Sequence, residues 1–247
     1  MSLYFARTAP AITHIVPQPL KDTSVSTAPG TKLSYVGYEF EVPWTDLDSN
    51  STQLFPRNSA TQNRADLQFR SGLRLVLTAL PPAEWVENLA RETNSDPAKI
   101  EAMFGRDKGA SDYRVLKTIY EFTPDKMDHW SATKRAVSRD ELLLMLKSIV
   151  PFKVAQSGIF YLRNADLQGF QQGSASPRQD FIGLHMFADD GSVEMIVIQK
   201  DYKNSAGVSQ LEINRIVQSL RKIPEDVGSG THGTEQSRSG SRNQPLK

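Results

Sequence analysis

The chain has 247 residues and sets 29 Lys and Arg against 28 Asp and Glu, a formal net charge of +1 with no cysteine. The charge balance gives no global field to recruit nucleic acid or an anionic membrane surface. Without cysteine there are no disulfides, thiolate nucleophiles, or Cys-ligated zinc or iron–sulfur sites, and the redox compartment stays open.

Residues 1–31 read as a flexible linker. The short apolar start Met1–Ala6 lacks the basic region and apolar core of a signal peptide. The stretch from Thr8 to Gly30 is rich in Pro, Thr and Ser, with Pro10, Pro17, Pro19 and Pro29. At the other end, residues 227–247 are rich in Gly, Ser, Arg and Gln and read as a disordered tail. Neither end is expected to contribute to stability. That leaves roughly 190 residues, 32–226, for one folded domain.

The domain opens on strands. Lys32–Val42 alternates Tyr38, Phe40 and Val42 against Glu39 and Glu41 and stops at Pro43-Trp44. Asp66–Ala79 alternates over a longer span, with Leu67, Phe69, Leu73, Leu75 and Leu77 on one side, and reads as one half-buried antiparallel strand. Helical patterns follow at Ala83–Arg91, at Pro97–Phe104 closed by Gly105, and at Asp112–Phe122 ended by Thr123-Pro124. Ser138 and Glu141 form a capping box, with Val137 facing Leu142, for a helix through Leu142, Leu143, Leu144, Met145, Leu146 and Ile149 that is apolar nearly all round. Its unbroken apolar run, Leu142–Leu146, is far short of the ~20 residues a membrane span requires.

The last third carries the firmest signals. Gly158–Arg163 and Leu167–Gln172 read as a strand pair across Asn164–Asp166. Asp180–Phe187 and Ser192–Gln199 form a second pair across the Asp190-Gly191 turn. Ser209 and Glu212 then make a capping box, with Val208 stapled on Ile213, for a helix whose inner face is Ile213, Ile216, Val217 and Leu220 and whose stop is Pro224. The expected class is α+β, an antiparallel sheet packed by helices.

Two stretches of this order carry a family likeness: the opening strand Tyr38-Glu-Phe-Glu-Val-Pro-Trp44 and the closing helix Ile213-Asn-Arg-Ile-Val-Gln-Ser-Leu-Arg221. With the late antiparallel strands, they resemble the PsbP-like family over about half the chain. Leu220 stands where that family usually has an aromatic, and the helical block Ala83–Phe122 reads as an insertion. The resemblance implies an α/β/α sandwich and a non-enzymatic binding or assembly role.

Motifs for chemistry are sparse. Asp46, Asp48 and Asn50 have the alternate-oxygen start of a calcium loop, but Ser51 replaces the turn glycine and Arg57 replaces the bidentate Glu, so a self-capped polar turn is expected. His14, His129, His185 and His232 include no pair at metal-ligand spacing. His185 should face away from Leu184 and Met186, as an ordinary strand residue. A carboxylate near His129, in Asp128-His129-Trp130, can orient the imidazole for general-base work, but sequence neighbours seldom form such a dyad, and a turn with Trp130 packed on the domain is the expected reading. Gly173-Ser-Ala-Ser-Pro177 lacks the spacing of a nucleophile elbow. Gly105-Arg-Asp-Lys-Gly109 lacks the ending of a phosphate loop, though Arg106 and Lys108 can meet an anion there.

The reading favours binding over turnover, with no cofactor, no metal, no nucleic acid and a protein partner. It places the domain outside the cytoplasm on a membrane tether if an anchor precedes it, and in the cytoplasm otherwise. The alternative is a small-molecule-binding protein or hydrolase whose site gathers His129, Arg106 and Asp112 from distant positions.

Overall fold

The computed structural model describes residues 11–55, 63–81, 87, 90–91, 96–105, 110–127, 139–149 and 157–223. The strands are β1 (Gln18–Pro19), β2 (Thr31–Tyr35), β3 (Tyr38–Val42), β4 (Gln53–Phe55), β5 (Asn63–Gln68), β6 (Arg74–Leu80), β7 (Ile159–Arg163), β8 (Gln168–Gln172), β9 (Phe181–Ala188), β10 (Gly191–Ile198) and β11 (Arg221–Lys222). Four helices, α1 (Pro97–Phe104), α2 (Asp112–Glu121), α3 (Arg139–Ile149) and α4 (Gln210–Ser219), join them, with 3-10 turns at Ala11–His14 and Pro124–Lys126. An eight-stranded sheet runs β1-β7-β8-β9-β10-β6-β5-β4, and a three-stranded sheet runs β11-β3-β2. Among the described residues only the β1–β7 pair is parallel. The fold is mixed α+β, built on a large and mostly antiparallel sheet.

β9 is buried on both faces over Leu184–Phe187, and β10 buries Val193, Met195 and Val197 on one face while Glu194 and Ile196 on the other reach solvent. Ile182, Leu184, Met186, Val193, Met195 and Val197 point into one core with Leu33, Phe40, Val42 and Trp44 of the small sheet and Ile213, Ile216, Val217 and Leu220 at α4. Phe170 and Phe187 point the other way, into a second core with Ile100 and Phe104 of α1, Val115 and Ile119 of α2, and Leu142, Leu143 and Leu146 of α3. At roughly 25 cal/mol per Å2 of apolar surface removed from water, these two cores supply the main drive to fold.

Local chemistry sets the element ends. α1 starts where Asp96 accepts the Ala98 N–H and ends at Gly105, whose φ of 72° is left-handed. α2 is capped by Ser111. α4 carries the reciprocal Ser209–Glu212 capping box. It ends at Ser219, before Pro224: Leu220 turns extended and the chain continues as β11 on β3. The Ser138 cap, most of the Ala83–Arg91 helix and residues 227–247 lie outside the described residues. Among the described residues no helix is long and apolar enough to cross a membrane.

The structure differs from the sequence expectation in two ways: two expected strands are hairpins, and the expected linker is docked. Asp66–Ala79 is two strands, because the chain folds back at Phe69–Leu73, where the Phe69 N–H meets the Leu73 carbonyl at 2.9 Å. Gly72 makes this turn with φ 93°, and a Cβ there would lie 2.1 Å from the Asp201 carbonyl oxygen. The Leu67↔Leu75 pairing keeps the expected inward leucines on one face. The opening strand is likewise a hairpin, turning at Val36 (φ 50°) and Gly37 (φ 81°).

The second difference is the expected N-terminal linker, which from Ala11 onward is docked on the domain. Ile12 and Thr13 are each 1% exposed, Gln18–Pro19 add a parallel strand to β7, and residues 22–28 run along α4. A segment rich in Pro, Thr and Ser is held here because α4 supplies partners for its main chain.

α3 contains a polar residue that its apolar pattern conceals. Lys147 is fully buried, and its Nζ donates to the Phe122 carbonyl at 2.6 Å. Burial, reinforced by Lys126 and opposed by Asp125, pushes its amine down to about 8 from an ordinary value of 10.5. Keeping it charged costs on the order of 3 kcal/mol below pH 8. Between pH 8 and 10.5 the unfolded chain still holds a proton that the folded chain has released, so stability rises with pH. After the loss of the Phe122 bond, Lys147→Met should stabilise the fold by about 2 kcal/mol at pH 7. Chemical denaturation at both ends of this pH window should show the gain shrinking toward pH 10.5. In the same assay, Ser209→Ala should cost on the order of 1 kcal/mol by leaving a donor of α4 unpaired.

Candidate functional site

Antiparallel register places His185 opposite Glu194 on one side and Phe170 on the other. Ser192 and Glu194 are two apart on β10 and share the face of His185. His185 Nε2 lies 3.0 Å from Ser192 Oγ, and Nδ1 lies 3.4 Å from Glu194 Oε1. The Glu194 carboxylate favours a proton on Nδ1, so we assign Nε2 as the acceptor of the Ser192 hydroxyl. Phe187 stacks on the imidazole with centroids 4.1 Å apart.

The order is that of a nucleophile, a base and an orienting acid. Exposure sorts the roles differently: Ser192 is 1% exposed, and Glu194 is the member that meets solvent. A hydroxyl closed off in this way cannot reach a substrate carbonyl, so the row pins the imidazole between two strands. Burial pushes the His185 pKa down, against the opposing pull of Glu194, so the ring is held neutral.

A second polar surface lies on the outside of the small sheet. Its inward positions, Tyr38, Phe40 and Val42, are buried, so Glu39 and Glu41 must face outward. Lys32 pairs with Glu41 across β2 and β3, and Glu39 pairs with Ser34 on one side and Arg221 on the other. These side chains and Ser219 border a groove of about 360 Å3. α4 fixes its floor: the Glu41 N–H donates to Ser219 Oγ at 2.8 Å, and Arg215 Nη2 meets Glu41 Oε1 at 2.7 Å. Trp44 Nε1 donates to Glu212 Oε1 at 3.0 Å, so the end of β3 is tied to the first turn of the helix.

The sequence candidates fall elsewhere. Asp46 accepts the Ser71 N–H, and Asp48 accepts from Asn50 N–H and Ser51 Oγ–H, so their carboxylates serve local turns. Asp112 is the first residue of α2, and His14 closes the first 3-10 turn. Residues 173–177 form a loop held by Gly173 N–H to Gly158 and Ser174 N–H to Ser157 Oγ. His129, Arg106, Lys108 and His232 lie outside the described residues. No group of three or more potential metal ligands occurs among the described residues.

Sequence reasoning missed both surfaces. The His185 row was within reach, because the Asp190-Gly191 turn sets a register that puts His185 opposite Glu194. The groove needs the contact of β3 with α4, which no local signal carries. Comparison of the chain with protein-family models, curated proteins and solved structures finds no match.

Acid should expose the cost of the neutral imidazole. Below the ordinary pKa of 6.5 the unfolded chain takes up a proton that folded His185 resists, so the parent loses stability as pH falls. His185→Phe removes this contribution. Denaturation from pH 7 to pH 4 should show a shallower decline in the variant than in the parent.

Proposed function

We propose that this chain is a non-catalytic binding or assembly domain whose partner-facing surface is the groove on the outside of the three-stranded sheet. The observation that carries this reading is the juxtaposition of opposite charges at register positions, Lys32 opposite Glu41 and Arg221 opposite Glu39, around a groove of about 360 Å3. An exposed ion pair contributes at most about 1 kcal/mol, so Lys32, Glu39 and Arg221 meet a partner's charges without giving up a strong contact within the chain. Such exchange sets specificity and association rate more than raw affinity. A protein surface with both signs of charge suits this pattern better than a polyanion.

The PsbP-like resemblance points the same way. Its two motif stretches are in mutual contact through Glu41 to Arg215 and Glu41 to Ser219. Their convergence beside the groove supports a sandwich of that kind with a binding role.

The test compares proteins retained from host extract by the parent and by a Lys32→Glu, Arg221→Glu variant of unchanged circular dichroism. A partner of this surface should be retained about tenfold less by the variant and should elute with rising salt. Identical retention by both proteins, or turnover in a broad hydrolase and transferase screen, would refute the reading.

A further inference from the structure

The way residues 22–28 are held departs from ordinary loop packing. Asn214 Nδ2 donates to the carbonyls of Asp22 (3.0 Å) and Ser24 (2.7 Å). Arg215 Nη1 donates to the carbonyls of Ser26 (3.2 Å) and Ala28. Four carbonyls at alternate residues therefore face one helix, and the Ser26 N–H returns a bond to the Leu211 carbonyl at 2.9 Å. The side chains of Asp22, Thr23, Ser24, Val25, Thr27 and Ala28 remain exposed, Val25 at 44%. α4 thus grips main chain and is indifferent to the side chains it carries.

The gripping groups are built in. Asn214 is 3% exposed, and its Oδ1 accepts from Gln210 Nε2 at 3.0 Å. Gln210 exchanges amide bonds with fully buried Gln171, which also donates to the Gly173 carbonyl at 2.8 Å. Arg215 is fixed from its far side by Glu41. A fixed row of donors needs no reorganisation when a main chain arrives. Beyond it, the outer edge of β7 takes Gln18–Pro19 through the same kind of backbone pairing.

We propose that α4 and the outer edge of β7 form a receptor for an open polypeptide main chain. Residues 18–28 of the same chain fill it in one molecule, and residues 18–28 of a second copy fill it in an exchanged dimer. The second copy is the occupant because its segment is the one whose fit is observed. Exchange of an identical segment creates no new contact and loses none, so copy concentration decides between the two forms. This proposal uses the strap face and does not depend on the groove beside β3.

The test uses the full chain carrying Ile12→Ser, which loosens the buried start of the strap and leaves the receptor intact. A fluorescent peptide of residues 18–30 should bind it saturably and should bind the parent more weakly. Adding Asn214→Ala and Arg215→Ala should weaken binding at least about tenfold, because four charge-assisted or amide hydrogen bonds go. Two differently tagged copies should co-purify as a dimer whose fraction rises with concentration. If Ile12→Ser does not fold, Ser26→Pro loosens the strap instead by deleting its donor to Leu211. The proposal is overturned by a folded loosened variant that ignores the peptide, or by unchanged binding in the triple variant. It is also overturned if tagged copies stay monomeric at every concentration.

Discussion

Helix α4 has to satisfy three neighbours at once, and its ten residues are apportioned among them. Ile213, Ile216 and Val217 are buried against the large sheet. Asn214 and Arg215 face the N-terminal strap, and Arg215 also reaches Glu41. Glu212 and Ser219 both hold the C-terminal end of β3, through Trp44 and the Glu41 N–H. A helix of this length is marginal alone. The three sets of contacts fix it, and it fixes in turn the small sheet and the strap. The apolar stripe supplies most of the energy, and the polar positions decide what lies where.

The opposite face of the large sheet follows another logic. There the helical layer closes over groups that resist burial: Lys147 held by one carbonyl, His185 held neutral between Ser192 and Glu194, and Tyr120 receiving a bond from Gln172. Each has a partner, so none carries the full penalty of an orphaned polar group. They still subtract from what the aromatic core contributes. Polar inserts of this sort favour one arrangement of helices over near alternatives, because sliding a helix by a turn would strand them.

Local signals in the sequence were enough for elements whose causes are local. The Asp190-Gly191 hairpin, the Ser209 capping box and the Gly105 stop could be read because turn and cap chemistry acts over a few residues. The break inside Asp66–Ala79 escaped because the leucine alternation keeps one parity through the turn; Ser71-Gly72 was the available clue. The strap escaped for a deeper reason. Its partners are 187 to 192 residues away and touch its carbonyls, which are the same whatever side chains the segment bears. Lys147 drew no notice because nothing in its own neighbourhood announces the Phe122 carbonyl. His129 and Arg106 fall outside the described residues, so the site expected around them has no geometric counterpart here.

That long separation also orders events in time. The segment holding Asp22 leaves the ribosome well before Asn214 exists, a gap of 192 residues. At ordinary synthesis rates this is roughly 10–40 s. β7 follows Gln18 by 142 residues, so the strap waits first for its strand and then, for about 50 residues more, for α4, with a polar, proline-rich composition throughout. The contacts of the strap with α4 are therefore the last to become available, after the antiparallel hairpins have formed locally. A nascent chain stalled before α4 would present a finished part of the sheet with its first residues still loose.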